Sequence, residues 1–162
     1  MAFLEVLAGI AALTAAIRRA GLDAGAGVDR LYPSHGREWD LSRAADREAL
    51  RSLIKELKPM VVHVAVPWTE FSVMGSGNPS REAVDMAVFG MDILVMQLRA
   101  GRFGSLENPV GSELFRRPEY KARFGSLESP RRPWLVVRSD GCMFGHMHSG
   151  IDEDRGCLCK KA

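Results

Sequence analysis

Cysteine is scarce in this chain of 162 residues, and its three copies, Cys142, Cys157 and Cys159, all lie beyond residue 140. A secreted disulfide framework spreads its cysteines through the fold, so none is expected here. The free thiols point to a reducing intracellular compartment, whether cytoplasm, nucleus or an organelle interior. No run of about 18 apolar residues occurs, which excludes a helical membrane span at the level of sequence. No basic stretch precedes the first apolar run, and that run continues into amphipathic sequence. The N-terminus is therefore expected to be part of the fold and not a signal peptide. Strong charge of either sign is missing too: 22 Lys and Arg against 20 Asp and Glu leave a net charge of +2. Net basicity alone gives no argument for nucleic acid. What is present is ordinary globular material, 46% hydrophobic and 26% charged, in a chain long enough for one domain with a core.

The stretch Met1–Gly21 organises the reading. Phe3–Leu7 is an apolar run of strand length, Ala8-Gly9 is a tight turn, and Ile10–Ala20 carries Ile10, Leu13 and Ile17 at helical spacing before Gly21. A strand, a glycine turn and a helix open many cofactor-binding α/β sheets, because the turn lets a ligand approach backbone N–H groups at the helix start. A plain βα unit without ligand fits the same residues. Asp23–Asp29 reads as a small-residue strand, and 31–38 as a loop. Arg43–Leu57 reads as a helix with Leu50, Leu53, Ile54 and Leu57 on one side and Ser42 as its cap. Met60–Val66 is apolar nearly throughout, as a central parallel strand is. After a loop over Pro67–Pro79, Ser80 caps a helix over Arg81–Ala100. Residues 103–133 read as irregular, Trp134–Arg138 as a further strand, and the end as a polar tail. FGSLE occurs twice, at Phe103 and Phe124, too short a unit for a repeat architecture.

Alternating strands and helices predict an α/β fold with one doubly wound, mainly parallel sheet over residues 1–145, and a Cys- and His-containing tail over 146–162. Ligands of such sheets bind outside the carboxyl ends of the strands. Asp29, about 20 residues after Gly9, can accept hydrogen bonds from ribose hydroxyls, or simply close a turn. Asp40 can meet an adenine amino group, or serve as an acid favoured at a helix start. His63 sits within an apolar strand, where a satisfied core role competes with a catalytic one. Arg116, Arg117, Lys121, Arg123, Arg131 and Arg132 can meet nucleic-acid phosphates or an acidic partner, or form a solvated loop. Cys142, His146, His148, Cys157 and Cys159 gather ligand types that zinc uses, in a spacing that matches no standard finger. Zinc is not the expectation, since a buried Cys142 with an exposed tail accounts for the same residues.

One order of motifs resembles a known family. FLEVLAGIAALTAAIRRAGL, GVD, VVHVAVPWTEFS and LENP, followed by Asp140-Gly141-Cys142-Met143-Phe144-Gly145, are similar in order and spacing to cytosine-C5 DNA methyltransferases. They are closer still to methyltransferase-like segments of algal genomes and mobile elements. The resemblance spans Phe3 to Gly145 and implies a Rossmann-like methyltransferase fold, truncated relative to full enzymes. It implies that Gly9 lines S-adenosylmethionine, Asp29 its ribose and Asp40 its adenine. Pro67 shapes the substrate loop, and Glu107 takes the place of the carboxyl group that bonds the target base. Where the family has its nucleophilic cysteine, this chain has Trp68. C5 methylation needs a thiolate to attack the ring, which indole cannot do. Ala11 replaces the second glycine of the opening turn. The expected function is thus a degenerate, catalytically inactive methyltransferase-like domain, acting as a binding or structural subunit of a larger assembly. Trp68 would be a contact anchor for a protein partner in that role, or would simply pack back on the sheet edge. The alternative is an S-adenosylmethionine-dependent methyltransferase that acts on a nucleic acid or amine without a cysteine.

Overall fold

The computed structural model describes residues 1–72, 78–109 and 111–138. Its centre is a three-stranded parallel sheet in the order β1 (Phe3–Val6), β2 (Val61–Ala65), β3 (Phe103–Glu107). The helices are α1 (Ala12–Arg19), α2 (Ala44–Leu57), α3 (Arg81–Arg99) and α4 (Pro118–Phe124), with short 3-10 turns at Thr69–Phe71 and Glu113–Arg116. Register pairs Glu5 with His63 and His63 with Ser105, so these three share one sheet face. Leu4, Val6, Val62 and Val64 point to the other face and are fully buried. Each such side chain contributes about 1.5–3 kcal/mol through removal from water.

The two faces are covered differently. α1 packs on the Glu5 face. α3 packs on the Val64 face, and glycine permits its close approach. A methyl at Gly90 would stand 2.8 Å from Val64 Cγ1, and one at Gly104 would stand 2.7 Å from Leu94 Cδ2. Arg51 of α2 lies 4.9 Å above the ring of Phe89, which ties α2 to α3. Ser80 caps α3 by accepting from the Ala83 N–H at 3.1 Å, as its place before the apolar helix predicts.

Several elements differ from the sequence reading. Residues 103–133 are not irregular throughout: the first FGSLE is β3, whereas the second begins at the end of α4. The same five residues take different forms because β3 has β2 to pair with, and Phe124 completes a helical turn begun at Pro118. Trp134–Arg138 forms no strand among the described residues. Asp23–Asp29 makes two isolated parallel bridges to β1, Phe3 with Ala24 and Val6 with Val28, and no continuous ladder. Between them this segment takes one residue more than β1, so the pairing slips as it passes Gly25 and Gly27. α1 begins at Ala12, which leaves Ile10 exposed, and its buried residue is Thr14. Ser42 does not cap α2; its hydroxyl donates to Asp40 Oδ1 at 2.6 Å. No described helix is long and apolar enough to cross a membrane.

Candidate functional site

Three residues in the left-handed region shape the turn after β1: Leu7 (φ 59°), Gly9 (φ 51°) and Ala11 (φ 54°). Alternating handedness turns successive backbone N–H groups toward one side, a form that binds anions. The chain supplies those anions itself. Glu5, 5% exposed, reaches from β1 to the start of α1. Its Oε2 accepts from the Thr14 N–H at 2.7 Å and the Thr14 hydroxyl at 2.6 Å. Ala11 offers α1 no side-chain cap, so the strand provides one from below. Asp29 Oδ2 accepts from the Gly9 N–H, and its Oδ1 from the Leu31 N–H, each at 2.9 Å. Glu5 and Asp29 take the Thr14 and Gly9 N–H groups and set two carboxylates beside the turn, whose charge opposes a phosphate there. Each carboxylate retains lone pairs for further donors, such as hydroxyls.

Beside the turn, at the carboxyl ends of the strands, lies an open crevice of about 880 Å³. Gly9 and Asp29 line it, together with Pro67 and Trp68 from the loop after β2 and Glu107 from the end of β3. With His63, which also lines it, six sequence-singled residues thus meet at one site. Asp40 is not among the lining residues. Its carboxylate closes a local turn through Ser42, and that hydroxyl, ahead of the Ser42 N–H and nearby Arg30 and Arg43, holds its pKa below the usual 3.8. Asp46, buried in the first turn of α2, pairs with Arg37. Trp68 is 51% exposed and lines the crevice, so it does not pack wholly against the sheet. The loop that carries it is tied to α3 by Glu70, which accepts from the Ser80 N–H at 2.7 Å; the Ser80 hydroxyl, ahead of that N–H, lowers the Glu70 pKa.

Two lining residues carry signals that sequence reasoning missed. Asn108 donates from Nδ2 to the Val66 carbonyl at 2.7 Å, while its buried Oδ1 has no partner among the described residues. The bond to a carbonyl fixes the amide's orientation, because the reverse would set two acceptors against each other. The orphaned oxygen is an acceptor suited to a ligand N–H. His63, 8% exposed, contacts Ser105 Oγ from Nδ1 at 2.8 Å and Glu107 Oε2 from Nε2 at 3.4 Å. Recognising β3 as a strand would have exposed this pairing. A chain of edge-to-face rings, Phe115–Tyr120–Phe124–Trp134, forms one wall. Burial of the Tyr120 hydroxyl in that wall raises its pKa.

The basic groups near α4 are partly neutralised at home. Arg116 pairs with Glu113, Arg117 with Glu119, and Arg123 with Asp92. Arg117 lowers the Glu119 pKa. Among the described residues no three or more His, Cys, Asp or Glu stand close enough to hold a metal. Cys142, His146, His148, Cys157 and Cys159 lie outside the described residues, as does the Asp140–Gly145 motif. Searches against protein-family models, curated proteins and solved structures give no match for this chain.

Proposed function

We propose that this chain is a methyltransferase-like binding domain that has lost cytosine-C5 transfer and serves as a component of a larger assembly. The observation that carries this reading is the crevice itself: Gly9, Asp29, Pro67 and Glu107 line it, and so does Trp68, which the resemblance sets at the family's nucleophile position. The family expected from the motif order uses a Rossmann-like, doubly wound sheet. A parallel sheet in which β1 has neighbours on both sides, the 24–28 segment and β2, is consistent with that. S-adenosylmethionine carries no phosphate. A turn flanked by the Glu5 and Asp29 carboxylates favours such a ligand over a nucleotide, whose phosphates they would repel. The unpartnered Asn108 Oδ1 fits a ligand that presents an amino group. Trp68, half-exposed at the crevice, is the anchor for a protein partner.

The test has two arms. Calorimetric titration with S-adenosylmethionine reports the crevice, and transfer of a labelled methyl group to cytosine-containing DNA reports the reaction. Cofactor binding without transfer is expected. Methyl transfer to cytosine C5 by this chain would overturn the proposal. Transfer to an amine acceptor would move the assignment to the second reading, an active methyltransferase whose acceptor lies beside Pro67–Ser72. The openness of the crevice to Gly9 and Asp29 favours that reading.

A further inference from the structure

The geometry points to a serine-based nucleophilic site in the same crevice: Ser105 as nucleophile, His63 as its base and Glu107 as the carboxylate that orients the base. The inference does not depend on the methyltransferase reading. Parallel register sets Ser105 directly beside His63 on adjacent strands. The imidazole is held from three sides: Ser105 Oγ at 2.8 Å from Nδ1, Glu107 Oε2 at 3.4 Å from Nε2, and the Phe3 ring stacked at 6.4 Å between centroids. A carboxylate only accepts, so it favours the tautomer with the proton on Nε2. That leaves the Nδ1 lone pair facing the serine hydroxyl, which then donates to it. A nucleophile bonded to a base that a third group orients is the arrangement acyl-transfer sites use. Ser105 is exposed and all three residues line the crevice. Ser105 stands on the open face of β3, which gives a small ester access to it, while Leu94 and Leu106 line the crevice from the other face of that strand.

In the first step Ser105 Oγ forms a bond to the acyl carbon and its proton passes to His63 Nδ1. The alcohol leaves with that proton as the carbon–oxygen ester bond breaks. Water then attacks the acyl carbon, gives a proton to His63, and the acid departs as Ser105 regains its hydrogen.

The test reacts the whole chain with a fluorophosphonate and locates the adduct by peptide mass spectrometry. Labelling of Ser105 is expected, absent in Ser105→Ala and slowed about 100-fold or more in His63→Gln, the usual scale for losing a general base. Glu107 is exposed, so Glu107→Gln is expected to slow labelling only several-fold. A second comparison does not require His63→Gln to fold. Ser105→Cys should react with iodoacetamide at least about tenfold faster than Phe103→Cys, an exposed site on the same strand face without an imidazole beside it. No adduct on Ser105 at millimolar probe, or equal alkylation rates at the two cysteines, would overturn the assignment.

Discussion

Removing the Glu5 carboxylate should weaken the fold and uncover an anion site at the start of α1. Glu5 Oε2 accepts two bonds from Thr14, at 2.7 and 2.6 Å, and both residues are buried. In Glu5→Ala the Thr14 N–H and hydroxyl lose their acceptor. An unsatisfied buried donor costs about 1–3 kcal/mol, and loss of a helix cap alone costs about 0.5–2 kcal/mol. These overlap, because the N–H is counted in both, so a loss of about 2–3 kcal/mol is expected. For a domain of this size 1 kcal/mol moves the melting temperature by about 2–4 °C, so the midpoint should fall by roughly 5–10 °C. Glu5→Gln keeps an acceptor but loses the charge assistance, and should fall by about half as much. Thermal melts in chloride and in phosphate of equal ionic strength separate cap loss from mere cavity formation. Phosphate should recover part of the loss in Glu5→Ala and leave the wild type little changed, because only in the variant is the Thr14 N–H vacated and the repelling carboxylate gone. A Glu5→Ala protein that melts with the wild type in chloride, or gains nothing specific from phosphate, would refute the argument.

Other consequences are smaller or local. Ala11→Gly should stabilise the chain by about 0.5 kcal/mol. A left-handed alanine costs about 1–2 kcal/mol, offset in part by the greater unfolded entropy of glycine; chemical denaturation measures the shift. Gly27→Ala should destabilise by about 1–3 kcal/mol, since its methyl would stand 2.7 Å from Ala8 Cβ and 3.2 Å from Ala11 Cβ, both fixed to backbone. A melt with a wild-type midpoint would contradict that packing. Asp40 titrates below the usual 3.8, chiefly through the Ser42 hydroxyl. A lowered folded-state value means its contribution is present above the ordinary value and lost as pH falls through the folded one. Ser42→Ala should raise the Asp40 midpoint measured by NMR, and an unmoved midpoint would remove the hydroxyl as the cause.

The long periodic elements were legible because their signals are local. Met60–Val66 is apolar without interruption, and α3 runs many turns between Ser80 and Gly101. β3 was not, because FGSLE offers a single large inward residue, Leu106, and gains its form from β2. α4 is too short for periodicity, although Pro118 at its first turn was a usable mark. Trp134–Arg138 misled in the opposite sense: an apolar run supplies a strand's residues but not its partner. At the site, the spacing of Gly9 and Asp29 brought the two together in the reading, but the bond between them was not foreseen. Glu5 was the clearest missed signal. An acid inside a buried strand must find donors, and Glu5 finds them in Thr14 at the helix start that follows.

The most direct test of the crevice as a binding site for a phosphate-free ligand is a pair of NMR titrations that follow the Gly9 and Leu31 amides and the Trp68 indole N–H. S-adenosylmethionine should shift all three in a saturable way, and adenosine triphosphate should leave them in place. Shifts produced by the triphosphate alone, or by neither compound at millimolar concentration, would contradict the account.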